Sequence, residues 1–454
     1  MALRIITSNR MEVLVEELAS VVKRPLASVF VPEIIVVQSK GMQRWLAMEL
    51  AKNLGVWANA EFPFPNALID RLFTSVIPNL TDPPEISSFH PDVLTWHIME
   101  VLPGYLEQAD FQPLAAYLAE DPAGLKRLQL AGVIADTYDQ YTIYRSDLLA
   151  SWENGAADGW QASLWRELVK NNSHHHRASL LMQFRRQLGR GKQKPADLPQ
   201  RISLIGIPTL PPFHLEVLTA IARHTQVNLF LLNPCRQYWG RIVPERALPR
   251  IGQQEFDFSG GADYFETGNP LLASFGRTGR DFFETLISDC GEVAPEESFM
   301  EPDGNCLLHA IQGDILDLRD RRSEQKSIVS CTDDSLRIHS CHSPMREVEV
   351  LYDQLLHRLD QDPSLSPRDI LVMTPDIESY APYISAVFGS PERAEEKIPF
   401  SIADRSLRRE GEAAETFLAI LDLCGSRFTV TQVLDIVEAA PVLRRYGWPR
   451  AIWT

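Results

Sequence analysis

The sequence predicts an α/β fold built on a parallel sheet. Short runs that are apolar on both faces alternate with longer segments of helical period, the pattern of strands covered by helices above and below. Between about residues 90 and 200 the strand signals vanish and helical periodicity takes over, which predicts an all-helical insertion. With 454 residues, 45% of them hydrophobic and 23% charged, the chain has material for about three domains and is not a disordered polymer.

In chain order, Leu3–Thr7 is a strand and Met11–Val22 an amphipathic helix. The β-branched run Glu33–Gln38 is a second strand. Ser39 is placed to cap the helix that follows, which carries Met42, Trp45, Leu46 and Leu50 on one side. Trp45 reads there as core rather than as a stacking platform. Leu125–Tyr144 is a helix of the insertion. Ile202–Ile207 and Val227–Leu232 are further buried strands, and Pro211-Pro212 reads as a rigid turn before a helix at Phe213. Residues 241–270 and 291–335, rich in Gly, Pro, Asp and Glu, read as surface loops or a linker. A second α/β unit starts near Leu336, with a strand at Asp369–Met373 and a helix at Thr431–Ala440, and reads as unfinished. The predicted organisation is a first domain over 1–90 and 200–330, a helical insertion over 91–199, and a second domain over 336–454.

The N-terminus lacks a secretory pattern, and no apolar run approaches membrane-spanning length. The six cysteines are scattered without a C-x-x-C pair, which fits reduced thiols and a cytoplasmic protein with no membrane association. His174-His175-His176 reads as a solvated run, because adjacent helical residues point to different faces. Net charge is −16, from 44 Lys and Arg against 60 Asp and Glu, which by itself argues against a phosphate polymer as partner. The charge is segregated, however. Residues 171–202 hold Arg177, Arg185, Arg186, Arg190, Lys192, Lys194 and Arg201 against Asp197 alone, while residues 291–320 hold eight acids and one Arg. A confined phosphate channel and a solvated helix face both fit this basic stripe.

Catalytic signatures are scarce. There is no G-x-x-x-x-G-K-[ST], and the turn after the first strand, Ser8-Asn9-Arg10, offers neither a glycine for close phosphate approach nor a lysine. Asp376 with Glu395 and Lys397 is a thin match to a metal-dependent nuclease and reads better as loop. No G-x-S-x-G or H-E-x-x-H occurs, so no catalytic site and no metal site of the chain's own is expected.

Several segments carry a resemblance. Ser8-Asn9-Arg10, Val37-Gln38-Ser39-x-Gly41-Met42-x-x-Trp45-Leu46, Phe62-Pro63-x-Pro65 and Asp139-Gln140-Tyr141-x-x-Tyr144-Arg145 resemble the RecC family, the gamma subunit of exodeoxyribonuclease V (RecBCD). So do Asn233-Pro234-Cys235-Arg236-x-Tyr238-Trp239-Gly240, Gly268–Ser274 and Cys341–Val350. The resemblance runs in order along essentially the whole chain and corresponds to the N-terminal part of a protein more than twice as long. It implies a RecA-like superfamily 1 helicase fold without an ATP site, with the first domain 1A-like, the insertion 1B-like, and a second, incomplete, 2A-like RecA-like domain. Gly206-Ile207-Pro208 then stand where a helicase carries its metal-binding acids, and Thr374-Pro375 where an arginine follows the strand of the second domain. The implied role is a DNA-binding and scaffold subunit in double-strand break repair by homologous recombination. It guides the 3′-ended single strand and recognises a Chi-type sequence, with RecB-like beta and RecD-like alpha subunits as partners that bind ATP and Mg.

Carried over by position, the nucleic-acid-binding residues are Gln38, Lys40, Arg44, Phe64, Asp70, Asp136, Thr137, Asp139, Arg145 and Arg177. An amide at Gln38 can read a base edge, the arginines can take phosphates or guanine, and the carboxylates can accept from exocyclic amines or lock arginines. Lys40 and Arg44 stand where the family is familiar with uncharged polar residues, Phe64 where it has an aliphatic, Asp70 a tryptophan and Thr137 a leucine. These departures predict that the protein binds the exiting strand without sharing the familiar Chi octamer. Two other readings stay open on the sequence: an active ATP-dependent helicase or nuclease subunit, and an assembly scaffold with no DNA contact.

Overall fold

The computed structural model describes residues 3–78, 80, 89–121, 123–156, 158–170, 176–190, 198–247, 267–289, 295–321, 329–390, 397–403 and 411–448. The chain divides into two compact units, Met1–Ser335 and Leu336–Thr454.

The first unit is α/β. Its strands are β1 (Leu3–Ser8), β2 (Glu33–Val36), β3 (Ala60–Glu61), β4 (Arg201–Ile205), β5 (Gln226–Leu232) and β6 (Glu296–Glu297). They form one sheet of order β3-β2-β4-β5-β1-β6, and every pairing is parallel. The apolar runs have the physical cause expected of them, because each face of the sheet is covered. Ile5, Ile34, Val36, Ile202, Leu204, Val227 and Leu229 pack on one side, and Ile6, Ile35, Val37, Ile205 and Phe230 on the other. Helices α1 (Met11–Val22) and α2 (Lys40–Leu54) close the second face through Leu14, Leu18, Leu46 and Leu50, with Trp45 packed against them. Helix α3 (Pro65–Val76) lies on the first face.

The helical stretch holds α4 (Pro91–Val101), α5 (Gln112–Leu118), α6 (Leu125–Tyr144), α7 (Ser146–Glu153), α8 (Trp160–Val169) and α9 (Arg177–Arg190). A core of its own surrounds Trp165, Tyr138, Phe111 and Ile98. Helix α9 belongs to both cores. Its Leu180, Leu181, Phe184 and Leu188 pack with Phe73 and Phe213 under the sheet, while His176 at its start meets the rings of Phe89 and Trp165. Helix α10 (Pro212–Ile221) follows Pro211 as the double-proline turn predicts.

Three expectations are corrected here. Residues 291–335 are not all loop: they supply β6 and, after α11 (Pro270–Phe275) and α12 (Arg277–Asp289), helix α13 (Leu307–Leu316). An acidic pair makes a strand because Arg4 on β1 clasps Glu296 with Nε and Nη2 at 3.0 and 2.8 Å. The histidine run is not simply solvated, since His176 is 1% exposed; His174 and His175 lie outside the described residues, as do residues 248–266 of the other loop reading. The third correction concerns the strand at Asp369–Met373. The second unit contains α14 (Pro344–Gln361), α15 (Ile377–Gly389), α16 (Glu412–Leu423), α17 (Val430–Glu438) and α18 (Ala440–Tyr446), and no strand among its described residues. Leu371 and Met373 are 80% and 85% exposed. A strand exists only through a partner ladder, and none lies beside this segment among the described residues. Val348, Tyr352, Phe388 and Ile398 form the core between α14 and α15. Among the described residues no helix is long and apolar enough to cross a membrane.

Candidate nucleic-acid interface

Half of the predicted site sits at the carboxyl ends of β2 and β3, the edge of a parallel sheet where ligands bind. β2 ends at Val36, and the amide of buried Val37 donates to the carbonyl of Pro63 at 3.2 Å. This bond ties the loop after β2 to the loop before α3, so that Gln38 and Phe64 follow directly on its two sides. Gln38 is exposed and Phe64 is 44% exposed. Ser39 caps α2 as predicted, its Oγ accepting from Met42 N at 3.1 Å. Lys40 and Arg44, both exposed, share a face one turn apart, and no ion pair with either is formed among the described residues. Asp70 is half-buried, two turns into α3.

The other half is helical. Asp136, Thr137 and Asp139 lie on α6, and Arg145 sits exposed in the break between α6 and α7 with Nε 3.6 Å from Asp147. Thr137 turns its hydroxyl to the Val133 carbonyl at 2.7 Å. Arg177 at the start of α9 donates to Asp139 Oδ1 at 2.7 Å, both side chains less than a quarter exposed. Burial pushes the Asp139 carboxyl above the usual carboxylate range, against the pull of Arg177 and His90. The structure thus joins Arg177 to Asp139, and the residue before Gln38 to the loop before Phe64; among the described residues no hydrogen bond or ion pair links Lys40 or Arg44 to the α6 group.

The places of two buried histidines in this region were not foreseen. His176 Nδ1 accepts from Ser179 N at 3.3 Å, capping α9 beside Arg177, and its Nε2 lies 3.1 Å from Glu153. His214, 5% exposed on α10, meets Asn66 Oδ1 of α3 through Nε2 at 3.0 Å. A lone histidine in the apolar first turn of α10 is the only sequence signal for it, and its partner lies 148 residues away. Burial, and after it the charge of Arg177, depresses the His214 pKa to about 4. The unfolded chain protonates near 6.5, so this group's contribution to stability is complete above that pH and is lost as the pH falls toward 4. At ~1.4 kcal/mol per unit, about 3 kcal/mol is at stake. Urea unfolding at pH 7 and pH 4.5 is expected to show a markedly smaller acid loss in His214→Gln than in the native sequence.

The basic stripe is corrected. Arg201 is 5% exposed and bound to the Glu33 carboxylate and to the carbonyls of Val21 and Arg24 at 2.9 and 3.0 Å, so it lines no channel. Arg185 pairs with Glu216 at 2.9 Å. The Arg190 side chain, Lys192, Lys194 and Asp197 lie outside the described residues.

At the end of β1, Asn9 exchanges two hydrogen bonds with the backbone of Met300, at 2.8 and 2.9 Å. The protein's own chain therefore occupies the turn where a phosphate loop would open. Gly206 follows β4 with φ +69°, a backbone conformation that favours glycine over a residue with a carboxylate side chain, and a Cβ there would meet the end of the Met42 side chain at 2.8 Å. Asp376 spends its side chain capping α15, accepting from Glu378 N and Ser379 N at 3.1 and 3.3 Å; Glu395 lies outside the described residues.

The chain is similar to known proteins along nearly its whole length. The family described as RecC, N-terminal domain, matches residues 3–318. The RecBCD enzyme subunit RecC of Escherichia coli (strain K12) is 38% identical over 98% of this chain and 43% of its own length. That of Haemophilus influenzae is 35% identical over 97% and 44%, and that of Mycolicibacterium smegmatis 32% identical over 99% and 41%. The chain spans less than half the length of these relatives. A match of this extent along the sheet, the helical stretch and the second unit places the chain in the RecC family.

Proposed function

We propose that this chain is the part of a RecBCD-type complex that guides the 3′-ended single strand and reads a Chi-type sequence, without catalysis of its own. The complex acts in double-strand break repair by homologous recombination in the cytoplasm, and the RecB-like and RecD-like partners hold ATP and Mg. In this reading residues 1–90 with 200–330 are a helicase-like 1A domain, 91–199 its 1B-like insertion, and 336–454 part of a 2A-like domain.

The observation that carries the proposal is the presence on the first unit of two sets of residues, one exposed and one partly buried. One is Gln38, Lys40, Arg44 and Phe64 at the strand ends; the other is Arg145 with the Asp139–Arg177 pair on the helices. Cations, an amide and a half-exposed ring are what a single strand requires: phosphate contacts, one base edge and one stacking face. The turn filled by Asn9 and Met300 supports a chain that does not hydrolyse ATP. An active helicase would instead hydrolyse ATP when single strand is added to the protein alone.

The test removes two charges. In the full-length protein assembled with its partners, Lys40→Gln with Arg44→Gln is expected to weaken single-strand binding. The slope of log affinity against log salt should fall by about 1.4, as for two phosphate contacts. An unchanged slope removes α2 from the interface. Because Lys40, Arg44, Phe64, Asp70 and Thr137 depart from the family's familiar residues, the familiar Chi octamer is expected not to attenuate this complex; normal attenuation by that octamer in a recombination assay refutes the altered specificity.

A further inference from the structure

His176 is a buried polar side chain to which the interface as described gives no task. It is 1% exposed and stands just before the helix that begins with Arg177. Two of its acceptors close the first turn of α9. The His176 carbonyl takes the Leu180 amide at 3.0 Å, and ring Nδ1 takes the Ser179 amide at 3.3 Å. Ser, Thr, Asp and Asn are the usual caps. A ring in that place also reaches into a core. It meets Phe89 and Trp165 edge to face, with centroids 5.6 and 5.4 Å apart. Because Nδ1 accepts, the hydrogen of the neutral ring sits on Nε2. That nitrogen lies 3.1 Å from Glu153 Oε1, out of line for a hydrogen bond. The same Oε1 accepts from Trp165 Nε1 at 3.0 Å. One ring thus meets α7 through Glu153 and α8 through Trp165 while it caps α9. The next residue, Arg177, makes the 2.7 Å bond to Asp139 on α6. Further along, Leu180, Leu181, Phe184 and Leu188 hold the body of α9 under the sheet.

We infer that His176 is a positioning residue for Arg177: by capping α9 from inside the core of the helical stretch, it fixes the first turn that presents the guanidinium to Asp139 and to the strand. This deepens the reading of Arg177 as a DNA contact and rests on it. Without the cap the Ser179 amide loses its acceptor in a buried place, and the first turn frays. A frayed turn has to rewind before Arg177 can meet a phosphate, so the apparent affinity falls by the fraction of molecules that are wound. The guanidinium itself is unchanged, which makes the effect one of placement.

Single-stranded oligothymidylate is titrated, at one fixed salt concentration, into the full-length protein assembled with its partners. His176→Phe keeps a ring and removes the acceptor; His176→Leu does so with a smaller side chain, should the larger ring not be accommodated. Binding is expected to weaken about 5-fold, the size of a lost N-cap. His176→Asn restores a capping acceptor and is expected to bring binding back to within about 2-fold of the native value. In an Arg177→Ala background His176→Phe should add no further loss, whereas general damage to the fold would weaken binding in both backgrounds. Unchanged binding in His176→Phe, no recovery in His176→Asn, or an equal loss with and without Arg177 overturns the inference. A second readout needs no DNA. In urea unfolding of the full-length protein, the drop in midpoint caused by Arg177→Ala should shrink in His176→Phe, because the pair with Asp139 is already loosened; an equal drop also overturns the positioning role. If Arg177→Ala leaves the binding of the native sequence unchanged, the DNA reading fails, and the urea midpoints alone decide whether His176 positions Arg177.

Discussion

Arg201→Ala is expected to lower the stability of the first unit by about 3–5 kcal/mol, the cost of breaking a buried ion pair from one side. Arg201 opens β4 at 5% exposure, and its guanidinium reaches three places at once: the Glu33 carboxylate on β2, the carbonyl of Val21 in the last turn of α1 and that of Arg24 just after it. Removing it leaves a carboxylate only 12% exposed without its cation and takes a side-chain donor from the carbonyls of Val21 and Arg24, of which Val21 keeps the Arg24 amide at 3.3 Å. The last carbonyls of α1 also carry the negative end of the helix dipole, which the guanidinium offsets. Replacing both partners, Arg201→Met with Glu33→Met, is expected to recover most of the loss, because the uncompensated charge disappears. Urea unfolding of the native, Arg201→Ala and doubly substituted proteins measures this. A loss below ~1 kcal/mol in Arg201→Ala would match a surface pair and contradict the burial assigned to it.

The second large effect separates the two members of the Asp139–Arg177 pair. Arg177→Ala is expected to weaken single-strand binding by roughly 10- to 100-fold, the range of a charge-assisted hydrogen bond of ~1.5–3 kcal/mol. Asp139→Asn should act in the opposite direction. It frees the guanidinium for phosphate or guanine and costs the fold little, since burial already disfavours the ionised Asp139. Binding isotherms at one fixed salt concentration decide between this and a structural pair. If both substitutions weaken binding equally, the pair acts as a strut between α6 and α9 rather than as a contact.

The sequence made the central strands legible for a simple reason. β1, β2, β4 and β5 are apolar on both faces, and only strands covered on both sides by helices need to be. The two-residue strands were illegible, because β3 and β6 owe their existence to neighbours. Glu296–Glu297 has no strand propensity, and Arg4, 292 residues away in sequence, holds it in place. The reverse error at Asp369–Met373 has the same origin: β-branched and apolar residues can propose a strand, but the partner decides. In the candidate site, the contiguous pieces were legible, such as Gln38-Ser39 with its cap. Arg201 was misread as part of a basic lining because charge in a window says nothing about direction; its acid lies on another strand. His214 and Asn66 escaped because only the packing of α10 on α3 brings them together.

The central claim is that the exiting strand passes over the first unit between the ends of β2 and β3 and the start of α9. It is tested most directly by placing a photoreactive side chain at Gln38, and separately at Arg145, in the full-length protein of an assembled, DNA-unwinding complex. Adducts are expected from both positions to the 3′-ended strand and none to its complement. Normal unwinding with no adduct from either position would contradict it and leave the chain a scaffold without DNA contact.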